Sequence, residues 1–392
     1  MLREVRMAGE SGAEPTTISY AVVASGLPAE PATLDAYVFA VLLHAMTNAT
    51  SLTVHGTLSR SAMLNLDEFQ SCWTLWRPQR YRRIDIKPER VIDLPRTAKP
   101  RSAIAAFSGG SDSSFTLLRH KKRLLNGPHR DIGAAAIVHG FDVSLANADH
   151  LEKLIESRRP FLDYVGSKLM IVRTNLRELG LQNWEDGHGA MLASCLHQFA
   201  GRFDCGLISS SNAYHELEIP WGSNPITDPL LSGDQFEIVH EGAAFRKIEK
   251  MALLVRHPEA IQGMRVCYEG KDQYRNCGTC GKCVRARLAF LALGMPEPPC
   301  FDGPLDLAAI DTLQTRTMLD YHRLNALVDY AERRGETGEW LRRAKRRLVA
   351  HERKLRLLGA RERIAARGIS MLKGLGLEGR IKRRLRHLGV QN

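Results

Sequence analysis

Between Ser102 and Ser209, short apolar runs alternate with longer helical stretches, and this alternation constrains the fold more than any other feature of the chain. Strands are predicted over residues 102–107, 133–138, 168–172 and 206–209, with helices over 113–125, about 147–164 and 187–203 between them. That order predicts an α/β fold, a doubly wound and mainly parallel sheet with helices on both faces. Ligands of such sheets sit at the carboxyl ends of the strands, so the loops starting at Ser108, His139, Arg173 and Ser209 are expected to line one site.

With 392 residues the chain is long for one domain, and two or three units are expected. Residues 1–98 read as a mixed α/β module, with a helix over 34–46, a strand over 52–55 and an alternating stretch over 81–86. They carry no constellation of catalytic residues. A linker over 94–101 holds Pro95 and Pro100. The alternating unit then spans 99–296, and 297–392 form a helical, basic extension with Leu341, Leu348, Leu355 and Leu358 spaced among the charges.

The net charge of +12 is concentrated in that extension: residues 341–392 hold 17 Lys and Arg against three Glu, a local +14 that leaves −2 for the rest. Exposed basic charge of this density makes RNA or an anionic membrane surface an expected contact of the tail. The apolar run 36–46 is broken by His44 and falls short of the roughly 20 residues that a membrane span needs. The first 15 residues mix Arg3 and Arg6 with Glu4, Glu10 and Glu14 and lack a secretory core, so a cytoplasmic location is expected.

Ser108, Gly109, Gly110, Ser111, Asp112, Ser113 and Ser114 follow the first strand of the alternating unit and open its helix. Adjacent glycines let backbone N–H groups close on a phosphate, and hydroxyls and the helix N-terminus add donors and positive potential. The run lacks the Gly-Lys-Ser/Thr ending of a Walker A loop. Asp112 fits beside phosphates either through an intervening Mg2+ or as a brace of the loop. The plainer alternative is a glycine turn followed by a helix cap. Gly374 to Gly379 also match Gly-x-Gly-x-x-Gly, but no strand precedes them and too little chain follows for a dinucleotide fold.

Cys277, Cys280 and Cys283 stand in tight turns, with Cys267 ten residues earlier. Four thiolates close a tetrahedral Zn2+ shell, which points to a structural metal; an iron–sulfur cluster accepts the same ligands. Cys72, Cys195, Cys205 and Cys300 are scattered and read as small buried apolar residues.

Ser-Gly-Gly-x-Asp-Ser after a strand resembles the PP-loop motif of the ATP pyrophosphatases, a fold of the adenine nucleotide α-hydrolase type. Cys267-Tyr268-Glu269-Gly270, the cysteine run, and Arg285 and Arg287 after it are similar to the zinc segment of the 7-cyano-7-deazaguanine synthases. The resemblance covers about 102–294. It implies an AMP-forming, carbon–nitrogen bond-forming ligase that binds ATP with Mg2+ and adenylates a carboxylate, or an amide, of a deazaguanine-like or other acceptor. It also implies a phosphate-binding lysine near the Lys-x-Glu of Lys247 and Glu249, so Lys247 and Arg246 join Asp112 as catalytic candidates, with Lys250 less favoured.

The chain departs from that pattern in three places. Glu185-Asp186-Gly187-His188 stands where the family has Arg-Asn; His139-Gly140-Phe141-Asp142 differs after the second strand; and the loop 209–231, with Asn212, His215, Glu216 and Asp228, is its own. His139, His188 and His215 are each placed where a general base is useful, with His215 and Glu216 favoured. Two other readings compete: a PP-loop enzyme that modifies tRNA, and a nucleotide-binding module without catalysis.

Overall fold

A computed structural model describes residues 1–9, 14–23, 30–95, 102–314 and 317–353. The chain divides into two compact units, Met1–Leu305 and Asp306–Asn392. In the first, β1 (Leu2–Met7) and β2 (Thr16–Val23) precede α1 (Asp35–Asn48), β3 (Ser51–Ser59), α2 (Arg60–Trp76) and β4 (Asp85–Ile92). Then come β5 (Ser102–Ala106), α3 (Ser111–Lys121), β6 (Asp131–His139), α4 (Ala148–Val165), β7 (Lys168–Thr174), α5 (Trp184–His197), β8 (Cys205–Ser209) and β9 (Glu237–Glu241). The unit closes with α6 (Lys247–Leu254), α7 (Pro258–Ile261) and α8 (Gly281–Ala292).

Seven strands form one sheet in the order β1-β2-β7-β6-β5-β8-β9, while β3 and β4 pair in parallel as a second sheet. From β7 to β9 every neighbour is parallel; β2 joins β7 antiparallel and β1 joins β2 antiparallel. The period-two alternation of strands divides this sheet cleanly. Ile104, Ala106, Ala134, Ala136, Met170 and Val172 pack in one core with residues of α1, α2 and α5. The strand residues between them, such as Ala103, Ala105 and Ala135, are buried on the opposite face. The chain runs outward from β5 through β6 to β7, then returns across α5 to β8 on the other side of β5. With right-handed crossovers, that reversal puts α5 on the face opposite α3 and α4 and opens a crevice between β5 and β8.

The expected separate module at 1–98 is absent as a compact unit: β1 and β2 extend the main sheet, and the same core includes α1 and α2. A buried ion cluster reinforces the join. Asp186, in the first turn of α5 and 1% exposed, accepts from Arg77 Nε at 3.0 Å, Arg80 Nη1 at 2.9 Å and the Tyr81 hydroxyl at 2.8 Å. The expected linker lies mostly outside the described residues.

The second boundary shifts from 296 to 305 because the intervening loop packs on α8: Arg287 donates to Gly303 O at 2.7 Å and Asp302 O at 3.0 Å and lies over the Phe301 ring. In the second unit, α9 (Ala308–Asp311) and α10 (Met318–Arg333) precede a helical stretch over 339–353. Thr317 and Asp320 cap α10 reciprocally, and Leu324, Leu327, Val328, Leu341, Ala344 and Leu348 are buried. Most of the basic tail, including Leu355, Leu358 and the Gly374 to Gly379 run, falls outside the described residues. No described helix is long and apolar enough to cross a membrane.

Candidate functional site

The crevice between β5 and β8 holds a cavity of about 360 Å³. Ser108, Gly110, Asp112 and Ser113 line one end and Phe141, Trp184 and His188 another, with Ser209, Ser211, Ser223, Tyr268 and Lys282 along the walls.

The loop end follows from local chemistry. Gly109 has φ +75°, a conformation that side-chain-bearing residues rarely adopt, and this turns the chain from β5 into α3. The first N–H groups of α3 have no acceptor within the helix, so the turn offers donors and the positive end of a dipole to an anion. Ser113 Oγ donates to Gly110 O at 3.1 Å and fixes the turn from inside. Ser114 faces the other way: it is fully buried and its Oγ accepts from Arg158 Nη2 at 3.1 Å. Gly109, Ser111 and Ser114 are outside the cavity lining, unlike Ser108, Gly110, Asp112 and Ser113.

Asp112 joins the loop to α6. Its Oδ2 accepts from Lys247 Nζ at 2.5 Å and its Oδ1 from Lys250 Nζ at 3.3 Å, and Lys250 Nζ also donates to Ser210 O at 2.6 Å. Lys250, the less favoured lysine of the sequence reading, is 1% exposed and ties the loops after β5 and β8 together. Burial pushes the Asp112 carboxyl up, but the two ammonium groups outweigh it and hold the carboxyl below its usual range. Burial pulls Lys250 down against the opposing attraction of Asp112. Arg246 is exposed at the start of α6, where its backbone N–H donates to Glu249 Oε2 at 2.8 Å. Arg246, Lys247 and Lys250 are all outside the cavity lining, where Asp112 stands for the group, and Glu249 of the Lys-x-Glu pair caps the helix.

The cysteine segment braces this loop from below. The Arg265 N–H donates to Gly109 O at 2.9 Å, and the Tyr268 hydroxyl donates to Ser108 O at 2.6 Å. The Arg265 guanidinium lies over the Tyr268 ring and binds Asn276 Oδ1 at 3.1 Å and Gln273 O at 2.8 Å. Arg158 fills the space beneath Gly109, donating to the carbonyls of Ala260 and Gln262. Burial lowers its pKa to about 10, which leaves it charged at neutral pH.

The sulfurs of Cys267, Cys277, Cys280 and Cys283 lie within 4.8 Å of one another. Tetrahedral thiolates on a metal at ~2.3 Å stand about 3.8 Å apart, so the four fit a single ion. Backbone N–H groups of Cys277 and Cys280 approach the sulfurs of Cys267 and Cys277 at 3.3 Å each, donors suited to stabilise thiolate charge. Cys283 Sγ is 3.3 Å from Cys267 Sγ, and that hydrogen bond drives the Cys267 thiol down and the Cys283 thiol up. Of the scattered cysteines, Cys195 and Cys205 are buried as expected, whereas Cys72 and Cys300 are only partly so.

Among the described histidines, His188 alone lines the cavity. Its ring lies near Trp184 and Trp221, with centroid separations of 5.8 and 5.2 Å, and burial lowers its pKa. His139 is buried with Nε2 2.9 Å from Ser144 O, and half-exposed His215 stands 3.3 Å from Glu216; neither reaches the cavity lining. Asn212 and Asp228 are buried outside it.

Sequence reading gave no site role to Arg158, Arg265, Tyr268 or Lys282, although Tyr268 and Lys282 lie within the motif it singled out. Arg158 left a signal: it occupies a core position in the stripe Leu151, Leu154, Phe161, Leu162 and Val165 of α4, where a charge needs buried partners. Compared with family models, curated proteins and solved structures, the chain gives no match.

Proposed function

We propose that this protein is a PP-loop enzyme that adenylates a carboxylate with ATP and releases AMP and pyrophosphate. The observation that carries the reading is the glycine turn at the crevice between β5 and β8, joined through Asp112 to Lys247 and Lys250 and opening on a cavity with an aromatic end. The turn from Ser108 to Ser113 would take the β and γ phosphates. Lys247, half-exposed beside Asp112, would meet charge that builds on the phosphates. Lys250 and Asp112 position it and hold the two loops together.

In the reaction a carboxylate oxygen attacks the α-phosphorus while the bond to the bridging oxygen of the leaving pyrophosphate breaks, so no outside redox partner is needed. Mg2+, when bound, supplies charge neutralisation for the phosphates. The cysteine group would hold Zn2+ as a closed structural site, and its part in this chemistry is to fix Arg265 and Tyr268 under the loop.

The reading is tested by phosphorus NMR of ATP turnover in the presence of candidate carboxylates, 7-carboxy-7-deazaguanine among them. AMP and pyrophosphate as products support it; ADP and phosphate as the sole products overturn it. Metal analysis should give about one zinc per chain, and a visible cluster absorption with iron would replace zinc by an iron–sulfur centre.

A further inference from the structure

The aromatic end of the cavity contains a hydroxyl whose polarity is fixed from behind. Ser223 lies on the wall, in a segment pressed against the first turn of α5. The Gly222 N–H donates to Glu185 O at 2.8 Å, and a Cβ at Gly222 would stand 2.5 Å from that same oxygen. Only glycine permits so close a seat, and it sets the place of Ser223.

Ser223 Oγ donates to Asp228 Oδ2 at 2.7 Å, and the same oxygen faces His240 Nδ1 at 2.7 Å. The other carboxylate oxygen accepts from the Asn224 N–H at 3.2 Å. The Asp228 side chain is 0% and the His240 side chain 4% exposed. His240 Nε2 is buried with no hydrogen-bond partner among the described residues, so a proton there would be stranded and the Nδ1–H tautomer is favoured. A carboxylate offers only lone pairs, so all three neighbours donate to it. The Ser223 proton is therefore committed inward, and its oxygen presents lone pairs to the cavity.

We infer that Ser223 is a specificity-determining residue, held as a hydrogen-bond acceptor by the buried Asp228–His240 pair, and that it selects a ligand carrying an N–H or O–H donor at the aromatic end. Asp228 and His240 are positioning residues. This inference rests on the proposed reading of the cavity as the place of the acceptor substrate, but its test does not use ATP.

The test compares binding of indole-3-carboxylate and benzofuran-3-carboxylate, which differ by N–H against O, to the full chain by ligand-observed NMR. Wild type should bind the indole about tenfold tighter, the scale of one net neutral hydrogen bond. Ser223→Ala should remove that preference with the fold intact. Asp228→Asn gives the hydroxyl a donor to face, frees its proton to turn outward, and should abolish or reverse the preference although Ser223 is present. A purely structural role for Asp228 would weaken both probes equally. Should Asp228→Asn not fold, Ser223→Ala alone decides. A preference unchanged in Ser223→Ala, equal weakening of both probes in folded Asp228→Asn, or failure of both probes to bind wild type overturns the inference. Failed AMP formation with the preference intact would instead sink the adenylation reading and leave this one standing.

Discussion

The two ends of the cavity are built by different means. The loop end is local: a strand, a left-handed glycine and a helix start place Ser108, Gly110, Asp112 and Ser113 within six residues of one another. The aromatic end draws Phe141, Trp184 and Ser223 from three distant segments and depends on glycine contacts and the buried Asp228–His240 pair to set them. Anion binding needs a generic backbone geometry, whereas selection of an acceptor needs side chains whose positions only the folded molecule defines.

Lys250 is where this contrast is most easily broken, because its Nζ touches Asp112 from one loop and Ser210 O from the other. Lys250→Met should slow AMP formation by about 100-fold or more and lower the melting temperature, since it leaves Asp112 with one cation and Ser210 O without its donor. Lys247→Met, at a half-exposed position, should slow turnover without a comparable loss of stability. Rates and melting curves of the two variants side by side would refute this division if their stability losses are equal.

Next in size is the support from the cysteine segment. Cys280→Ala should lose the metal and weaken ATP binding by about tenfold, because Arg265 and Tyr268 then lose their footing under Ser108 and Gly109. Tyr268→Phe removes a single hydrogen bond and should cost roughly 1 kcal/mol of nucleotide affinity with metal content unchanged. ATP titration of metal-free protein at wild-type affinity would separate the two sites.

Acid tests the loop end from another side. The folded Asp112 carboxyl lies below its unfolded value, so its pairing stabilises the protein above pH 3.8 and that contribution is lost as pH falls through the lower folded value. Asp112→Asn should be less stable near neutral pH and show a shallower loss in acid; parallel acid-unfolding curves would contradict the pairing.

The smallest effect on chemistry is expected from the tail. Residues 354–392 carry 11 Lys and Arg against two Glu. Cutting after Arg353 spares buried Leu341, Ala344 and Leu348, which a cut at Trp340 would remove. RNA and anionic-vesicle binding should fall steeply with salt in the full chain and disappear in the shortened one, with AMP release unchanged. Equal binding by both would reject the tail as an electrostatic arm.

How much of this was readable follows the same contrast. The parallel strands β5 to β8, the glycine loop and the four cysteines each declare themselves within a short window, through periodicity, turn chemistry or ligand spacing. The antiparallel edge β1–β2 did not, because β2 joins the sheet through β7, about 150 residues further along the chain, and β1 is held only by β2. The boundary at 98 failed for a related reason: Arg77, Arg80 and Tyr81 meet Asp186 only once the chain is folded. Lys250 was only the less favoured lysine and Arg265 had no role in the sequence reading, because the burial of both charges is set by tertiary packing. His215 and Glu216 were favoured for their position in the loop 209–231, but Ser209, Ser211 and Ser223 are the described residues of that loop that line the cavity.

The most direct measurement of the central claim is exchange of radiolabelled pyrophosphate into ATP across a panel of carboxylates. Adenylation at this loop predicts label in ATP that depends on a carboxylate and is lost in Lys250→Met. Label in ATP without any carboxylate, or no label in any mixture that consumes ATP, would contradict it.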